Sequence, residues 1–233
     1  MSRTPAQLAV VIGATGGVGG ALASALIGHD AYDRVICLSR GSTPSVDLEK
    51  PDSLAKAADW LLKQSGEIRL VIDATGFLHD SAFSPERSLR DLDPAHLHKA
   101  FAVNAIGPAL LMKHILPLLP RKGRTVFATL SARVGSIADN RLGGWHAYRA
   151  SKSALNQLMR GAAIELARSR REAICVALHP GTVDTALSAP FAKTGLEVRP
   201  ASEAAGDILR VIAGLTAVQT GGFFDHDGKP IPF

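Results

Sequence analysis

Tyr148 and Lys152 stand four positions apart in Tyr148-Arg149-Ala150-Ser151-Lys152, a spacing that places both side chains on one face of a helix. A phenol trades protons poorly near neutrality, because its unperturbed pKa is about 10. A neighbouring ammonium favours the phenolate and brings the group into range for general acid/base work. Such pairs also arise by chance on helix surfaces, so the meaning of this one depends on its company. Upstream, Gly13-Ala14-Thr15-Gly16-Gly17-Val18-Gly19-Gly20 follows an apolar run and leads into an Ala/Leu-rich segment. Glycines between a first strand and a first helix permit a tight turn and close approach of backbone to a diphosphate, which the helix N-terminus attracts. The spacing Gly13, Gly17, Gly19 is G-x-x-x-G-x-G, not the G-x-G-x-x-G of other dinucleotide folds.

A second apolar run ends in Leu38-Ser39-Arg40-Gly41. An acidic residue here would accept from a ribose 2′-hydroxyl and repel a 2′-phosphate. Arg40 instead offers a charge-assisted donor fork, with Ser39 beside it, and favours NADP(H) over NAD(H).

Positioning these groups takes a scaffold, and the chain supplies strands alternating with helices. Leu8–Ile12, Arg34–Leu38, Leu70–Asp73, Thr125–Leu130, Ile174–Leu178 and Gly222–Phe224 read as buried strands, and a further short run ends near Val46. Helical segments are expected over 19–28, 53–63 (capped by Asp52 or Ser53), 94–115, 145–168 and 201–213. Continuous apolar strands separated by helices mean a parallel sheet covered on both faces. Right-handed crossovers then give one α/β domain over 1–233: a Rossmann-type doubly wound sheet of about seven strands, with its site at the strands' carboxyl ends. No repeat, low-complexity tract or linker divides the sequence.

Composition narrows the class. The 233 residues are 46% hydrophobic and 20% charged, with 26 Lys plus Arg against 21 Asp plus Glu, a net charge of +5. That balance suits a globular core and argues against disorder. The basic clusters are short and lack interleaved aromatics, so nucleic acid is not an expected partner. Cys37 and Cys175 lie inside apolar runs and are expected as buried free thiols, neither a disulfide nor a metal site. The start, Met1 to Gln7, lacks the features of a secretory signal. Lys113, His114 and Pro117 interrupt the longest apolar stretch, so no membrane span is read there and a soluble, cytoplasmic protein is expected.

Together the glycine turn, the tyrosine–lysine pair, Asn104-Ala105-Ile106-Gly107-Pro108, Ser131-Ala132-Arg133-Val134-Gly135-Ser136-Ile137, Ser153-Ala154-Leu155-Asn156 and His179-Pro180-Gly181-Thr182-Val183-Asp184-Thr185 resemble the short-chain dehydrogenase/reductase family over nearly the whole chain. The likeness is greatest to its bacterial C-factor-like proteins and their carbonyl-reductase relatives. The resemblance implies roles. Tyr148 would be the acid/base, Lys152 would hold the nicotinamide ribose, and Asn104 would anchor a water in the proton relay. Gly13, Thr15, Gly16, Gly17, Val18, Gly19, Ser39 and Arg40 would take the cofactor phosphates, and Asp47 its adenine. Ala74, Thr75 and Gly76 would flank the adenosine ribose, while Pro180, Gly181, Thr182, Val183 and Thr185 would line the nicotinamide. The same resemblance implies a homodimer or homotetramer paired through the helices around Asn104 and Tyr148.

Two departures stand out. The family pattern Ser-Ser-x-x-Gly, counted back from Gly135, puts Ala132 where a substrate-orienting serine belongs. Ser131 is the expected substitute, with Ser136 as the alternative, although strand alternation points Ser131 the other way. Asp73-Ala74-Thr75-Gly76 replaces the usual Asn-Asn-Ala-Gly, and Asp73 is expected to accept backbone N–H groups at the strand end. Ala186 to Arg199 would be a short substrate lid. The resulting reading is an NADP(H)-dependent oxidoreductase acting on a small carbonyl or alcohol. A nucleotide-binding signalling or regulatory protein with weak or no catalysis is the alternative.

Overall fold

The computed structural model describes residues 5–28, 30–188 and 198–233. Most of the expected lid, residues 189–197, lies outside the described residues. Six strands, β1 (Gln7–Ile12), β2 (Arg34–Leu38), β3 (Glu67–Asp73), β4 (Thr125–Leu130), β5 (Ala173–Leu178) and β6 (Phe223–Phe224), form one parallel sheet in the order β2-β1-β3-β4-β5-β6. The order reverses between β1 and β3, and sheets of this kind take their ligands at the carboxyl ends of the strands flanking such a reversal.

Six strands are found where about seven were expected, because the run ending at Val46 pairs with none among the described residues. It folds back on the end of β2 instead: Val46 N–H donates to the Ser39 carbonyl at 2.9 Å, and Ser42 Oγ bridges the Ser39 N–H and carbonyl. Strand β2 is therefore an edge, and Cys37 is exposed there, contrary to expectation. Cys175 is buried, and burial pushes its thiol up to about 12.

Period-two alternation divides each central strand between two cores. Leu8, Val10 and Ile12 of β1, with Phe127 and Cys175, pack against α2 (Pro51–Leu62), α4 (Gly107–Ile115) and α5 (His146–Ser169). Ala9 and Val11, with Val126, Ala128, Ile174 and Val176, pack against α1 (Gly17–Ile27) and α6 (Ala201–Gly214). Helix α2 begins two residues earlier than expected, with Pro51 in the first turn and Lys50 at the cap; Ser53 spends its hydroxyl on the Asp47 and Lys50 carbonyls. Proline suits that position because its missing N–H would be unbonded there anyway.

The long helix expected over 94–115 is three pieces: α3 (Pro94–Phe101), a π-helical segment Ala102–Ile106, and α4. Pro108 has no N–H to donate to the carbonyl four residues back, so the α ladder cannot run through Asn104. The wider turn carries Asn104 to a fully buried place. Pro94–Leu118 is long and apolar enough to cross a membrane by length and composition. Here it is docked on the sheet, with α3 against α5 and α4 against α2.

Candidate active site

The β1–α1 turn is built from close backbone approaches. Gly13 has φ +81°, and its N–H and that of Ala14 donate to the Leu38 carbonyl at 2.8 and 3.2 Å. A Cβ on Gly19 would lie 2.2 Å from the Gly13 carbonyl oxygen, and one on Gly17 would lie 2.6 Å from Thr185 Cγ2. These two positions admit no side chain without movement. Thr15, Gly16 and Gly17 are exposed, and among the described residues no side chain caps α1. The uncapped first-turn N–H groups suit an anion. Ala74 and Thr75 close the turn from β3, within 3.1–3.2 Å of a Gly13 Cβ.

At the end of β2, Ser39 is buried and its Oγ accepts from Gly41 N–H at 3.2 Å, while Arg40 is exposed. Asp47 accepts from the Glu49 N–H at 3.2 Å and faces Lys50 at 3.2 Å. Burial opposes its ionisation, but those partners and the Arg40 charge together hold its carboxyl below the usual range. Ser39, Arg40 and Asp47 thus belong to one folded-back loop beside the glycine turn.

Tyr148 and Lys152 both sit on the buried face of α5. Lys152 is 2% exposed; its Nζ donates to the Leu130 carbonyl at 2.8 Å and lies 6.0 Å from the Tyr148 ring centre. A Cβ on Gly76 would stand 3.7 Å from Lys152 Nζ and 3.8 Å from Asn104 Oδ1, so the loop after β3 brings all three together. Asn104 holds that loop in both directions, accepting from Phe77 N–H and donating to the Phe77 carbonyl, each at 2.8 Å. Its amide also donates to Ser151 Oγ at 3.0 Å.

The electrostatics differ from the simple expectation for the pair. Burial raises the Tyr148 phenol well above its ordinary value, outweighing any help from Lys152. Burial also pushes the Lys152 ammonium down to about 8, against the attraction of Asp73. Burial likewise raises the Asp73 carboxyl, although Thr75 and Thr129 donate to it, Thr75 through both N–H and hydroxyl. Burial therefore holds both groups toward their neutral forms.

Ser131 is not where the sequence reading wanted a substrate-facing hydroxyl. Alternation persists past the end of β4, and Ser131 Oγ donates to Asn156 Oδ1 at 2.7 Å beneath α5. Ser136 is 1% exposed, and its Oγ accepts from Asp139 N–H at 3.1 Å. The residue packed against Tyr148, with Leu78, Val134 and Trp145 around it, is Ala132. The wall beside the phenol is apolar.

The loop after β5 faces the glycine turn. Gly181 has φ +82°, Val183 is buried and pairs with Arg199, and Arg199 N–H donates to the Thr182 carbonyl at 2.9 Å. Pro180 begins this loop, and Thr185 ends it over Gly17. The expected residues thus gather along the carboxyl edge of the sheet. Sequence reasoning missed Ser151, Asn156 and Thr129, which anchor Asn104, Ser131 and Asp73 respectively. Their signal was modest: small polar residues on otherwise apolar faces.

A family profile described as enoyl-(acyl carrier protein) reductase matches residues 19–210. The C-signal protein of Myxococcus xanthus is 37% identical over 147 residues, covering 63% of this chain and 84% of that protein. The 1-hydroxy-2-glutathionyl-2-methyl-3-butene dehydrogenase of Rhodococcus sp. (strain AD45) is 28% identical over 230 residues, 94% of this chain and 96% of that one. Among solved structures, an NADPH-bound carbonyl reductase from chicken fatty liver superposes with a TM-score of 0.83 at 23% identity, covering 99% of this chain and all of that one. At that identity the likeness speaks for the fold.

Proposed function

The chain belongs to the short-chain dehydrogenase/reductase family, and on that premise we propose that it is an NADP(H)-dependent oxidoreductase reducing a small carbonyl compound, with Tyr148 as proton donor. The observation that carries this reading is the meeting of Lys152, Asn104 and Gly76 beside Tyr148, at the sheet edge that also holds the glycine turn. The uncapped, exposed start of α1 and the two glycines that a Cβ would block fit a dinucleotide diphosphate. Gly13 to Gly19 would hold it, Arg40 and Ser39 a 2′-phosphate, and Asp47 the adenine. Ala74 to Gly76 with Lys152 would take the riboses, and Pro180 to Thr185 the nicotinamide. When bound, the nicotinamide supplies or accepts the hydride.

The residues of this chain handle the proton. The Tyr148 phenol is protonated at neutral pH, as a donor to a carbonyl oxygen must be; burial weakens it as an acid, and the Lys152 ammonium, 6.0 Å from its ring, works in the opposite direction. Asn104, tied to Phe77 and Ser151, fixes the loop at which the proton would be replenished. With the Ser131 hydroxyl given to Asn156 and Ser136 buried against the Asp139 N–H, Tyr148 is, among the described residues, the hydroxyl that would supply the carbonyl's hydrogen bond. The apolar wall of Leu78, Ala132, Val134 and Trp145 excludes water from that bond. In this reading the chain is one cytoplasmic domain that works as a homodimer or homotetramer.

A second reading keeps the nucleotide site without appreciable turnover, as a C-factor-like signalling or regulatory protein. The 37% identity to a C-signal protein and the alanine at position 132 favour it. Thermal protection by NADPH and NADH, followed by a panel of aldehydes, ketones and alcohols with NADPH or NADP⁺, separates the two. The expected result is stronger protection by NADPH and turnover of at least one compound. Equal protection removes Arg40 from phosphate recognition, and protection without any turnover favours the second reading.

A further inference from the structure

Helix α5 begins at an unusual corner. Gly143, Gly144 and Trp145 all have positive φ (+63°, +64° and +49°), and Trp145 stands at the cap position without its side chain capping the helix. A residue bearing a Cβ rarely adopts that conformation unless its surroundings hold it there. The holding group comes from the loop after β3. The Glu86 carbonyl accepts from Trp145 N–H at 2.6 Å, and the Glu86 carboxylate accepts from Ala147 N–H at 3.3 and 3.2 Å to its two oxygens. Glu86 is 2% exposed, so a buried carboxylate sits on the positive end of the helix that carries Tyr148 and Lys152.

Glu86 is itself held from the other side. His96 Nδ1 lies 3.2 Å from its Oε1, and the His96 ring stacks on Phe83 at 5.1 Å and meets the edge of Phe77 at 6.0 Å. Phe77 is the residue whose backbone Asn104 clamps. Packing therefore runs without a break from Asn104 through Phe77, His96 and Glu86 to Trp145, which meets the Tyr148 ring at 6.3 Å. Glu86 lies outside every motif that marks the site in the sequence.

We propose that Glu86 is a positioning residue: by capping α5 from a distant loop it fixes the Trp145 corner and thereby aims Tyr148 relative to Asn104. The kinetic part of this inference depends on the proposed reductase reading; the structural part does not. Losing the carboxylate leaves the Trp145 N–H on the Glu86 backbone carbonyl but strips the Ala147 N–H of its acceptor, and loosens the first turn, where Tyr148 is the third residue. A displacement of about 1 Å at a reacting group lowers turnover by roughly 100-fold, whereas the glycine turn, the proposed diphosphate site, takes no part in that packing.

The chain has two tyrosines, Tyr32 and Tyr148, so ring-labelled protein gives two resolvable NMR signals. In Glu86→Ala, the Tyr148 signal should move and the Tyr32 signal stay, with kcat down roughly 100-fold and NADPH affinity within about threefold. Glu86→Gln keeps an acceptor for Ala147 N–H and should recover turnover to within about tenfold of the natural chain. An unmoved Tyr148 signal in Glu86→Ala overturns the proposal. So does a parallel loss of kcat and NADPH affinity, or a Gln variant no better than Ala. If the natural chain turns over nothing, a moved Tyr148 signal still upholds the positioning role while the reductase reading falls.

Discussion

At the β1–α1 turn, position is set by glycine backbone in close approach to its neighbours. Gly13 bonds to Leu38, Gly19 lies against the Gly13 carbonyl, and Gly17 lies under Thr185. At the start of α5, position is set by side chains reaching across the fold: Lys152 to Leu130, Asn104 to Phe77, Ser131 to Asn156. The first kind of site tolerates no added atom but asks little of its neighbours. The second tolerates exchange of individual groups but needs a chain of partners, some of them from remote loops. Within one fold, the nucleotide end and the acid/base end therefore fail in different ways.

The comparison is easiest to break at the glycine turn. Gly19→Ala puts a methyl group against a backbone oxygen that cannot yield without moving the turn. Overpacking of this kind costs about 1–3 kcal/mol, and we expect NADPH affinity to fall by roughly 100-fold, read by fluorescence titration and thermal unfolding. Affinity within about twofold of the natural chain would show that the turn is not built on that approach.

Lys152→Met sharpens the other half through pH. The folded-state pKa of Lys152, about 8, lies below its ordinary 10.5. Between those values the folded chain binds fewer protons than the unfolded one, so stability rises with pH through that window. Tyr148 opposes this only above pH 10, where its raised pKa makes the unfolded chain the more readily ionised. Comparing chemical denaturation from about pH 8 to about pH 10, the natural chain should gain about 2 kcal/mol relative to Lys152→Met. Parallel profiles would mean that the ammonium is not desolvated.

The smallest effect is a gain. Ala132→Ser places a hydroxyl beside Tyr148, on the wall formed with Leu78, Val134 and Trp145. A second donor to the carbonyl oxygen should raise kcat roughly tenfold, less than a pre-aligned oxyanion donor contributes, with NADPH affinity unchanged. Steady-state rates check it, and a fall in kcat would show that the wall has no room for the donor.

How much of this was legible in the sequence follows the same division. Backbone constraints leave their mark as glycine spacing, so the turn and its place between β1 and α1 were readable from Gly13, Gly17 and Gly19 alone. The Tyr148–Lys152 pair was readable because helical spacing is local. The serine was legible only as a conflict: Ser131 was the nearest hydroxyl by chain position while strand alternation pointed it away, and alternation prevails, sending it under α5 to Asn156, a partner no local period reveals. Asn104 was found by motif, but its π turn depends on Pro108 and on the loop it clamps, which no local period reveals. The missing strand near Val46 and exposed Cys37 share one cause, a loop that folds back by its own serine hydrogen bonds and leaves β2 at an edge.

The most direct measurement is NADPH oxidation by the natural chain and by Tyr148→Phe, side by side at pH 7 with a responsive aldehyde or ketone, with NADPH affinity determined for both. Removing the phenolic hydroxyl should lower turnover by roughly 100- to 10,000-fold and leave affinity essentially unchanged. A phenylalanine variant that turns over as fast as the natural chain would contradict Tyr148 as the proton donor.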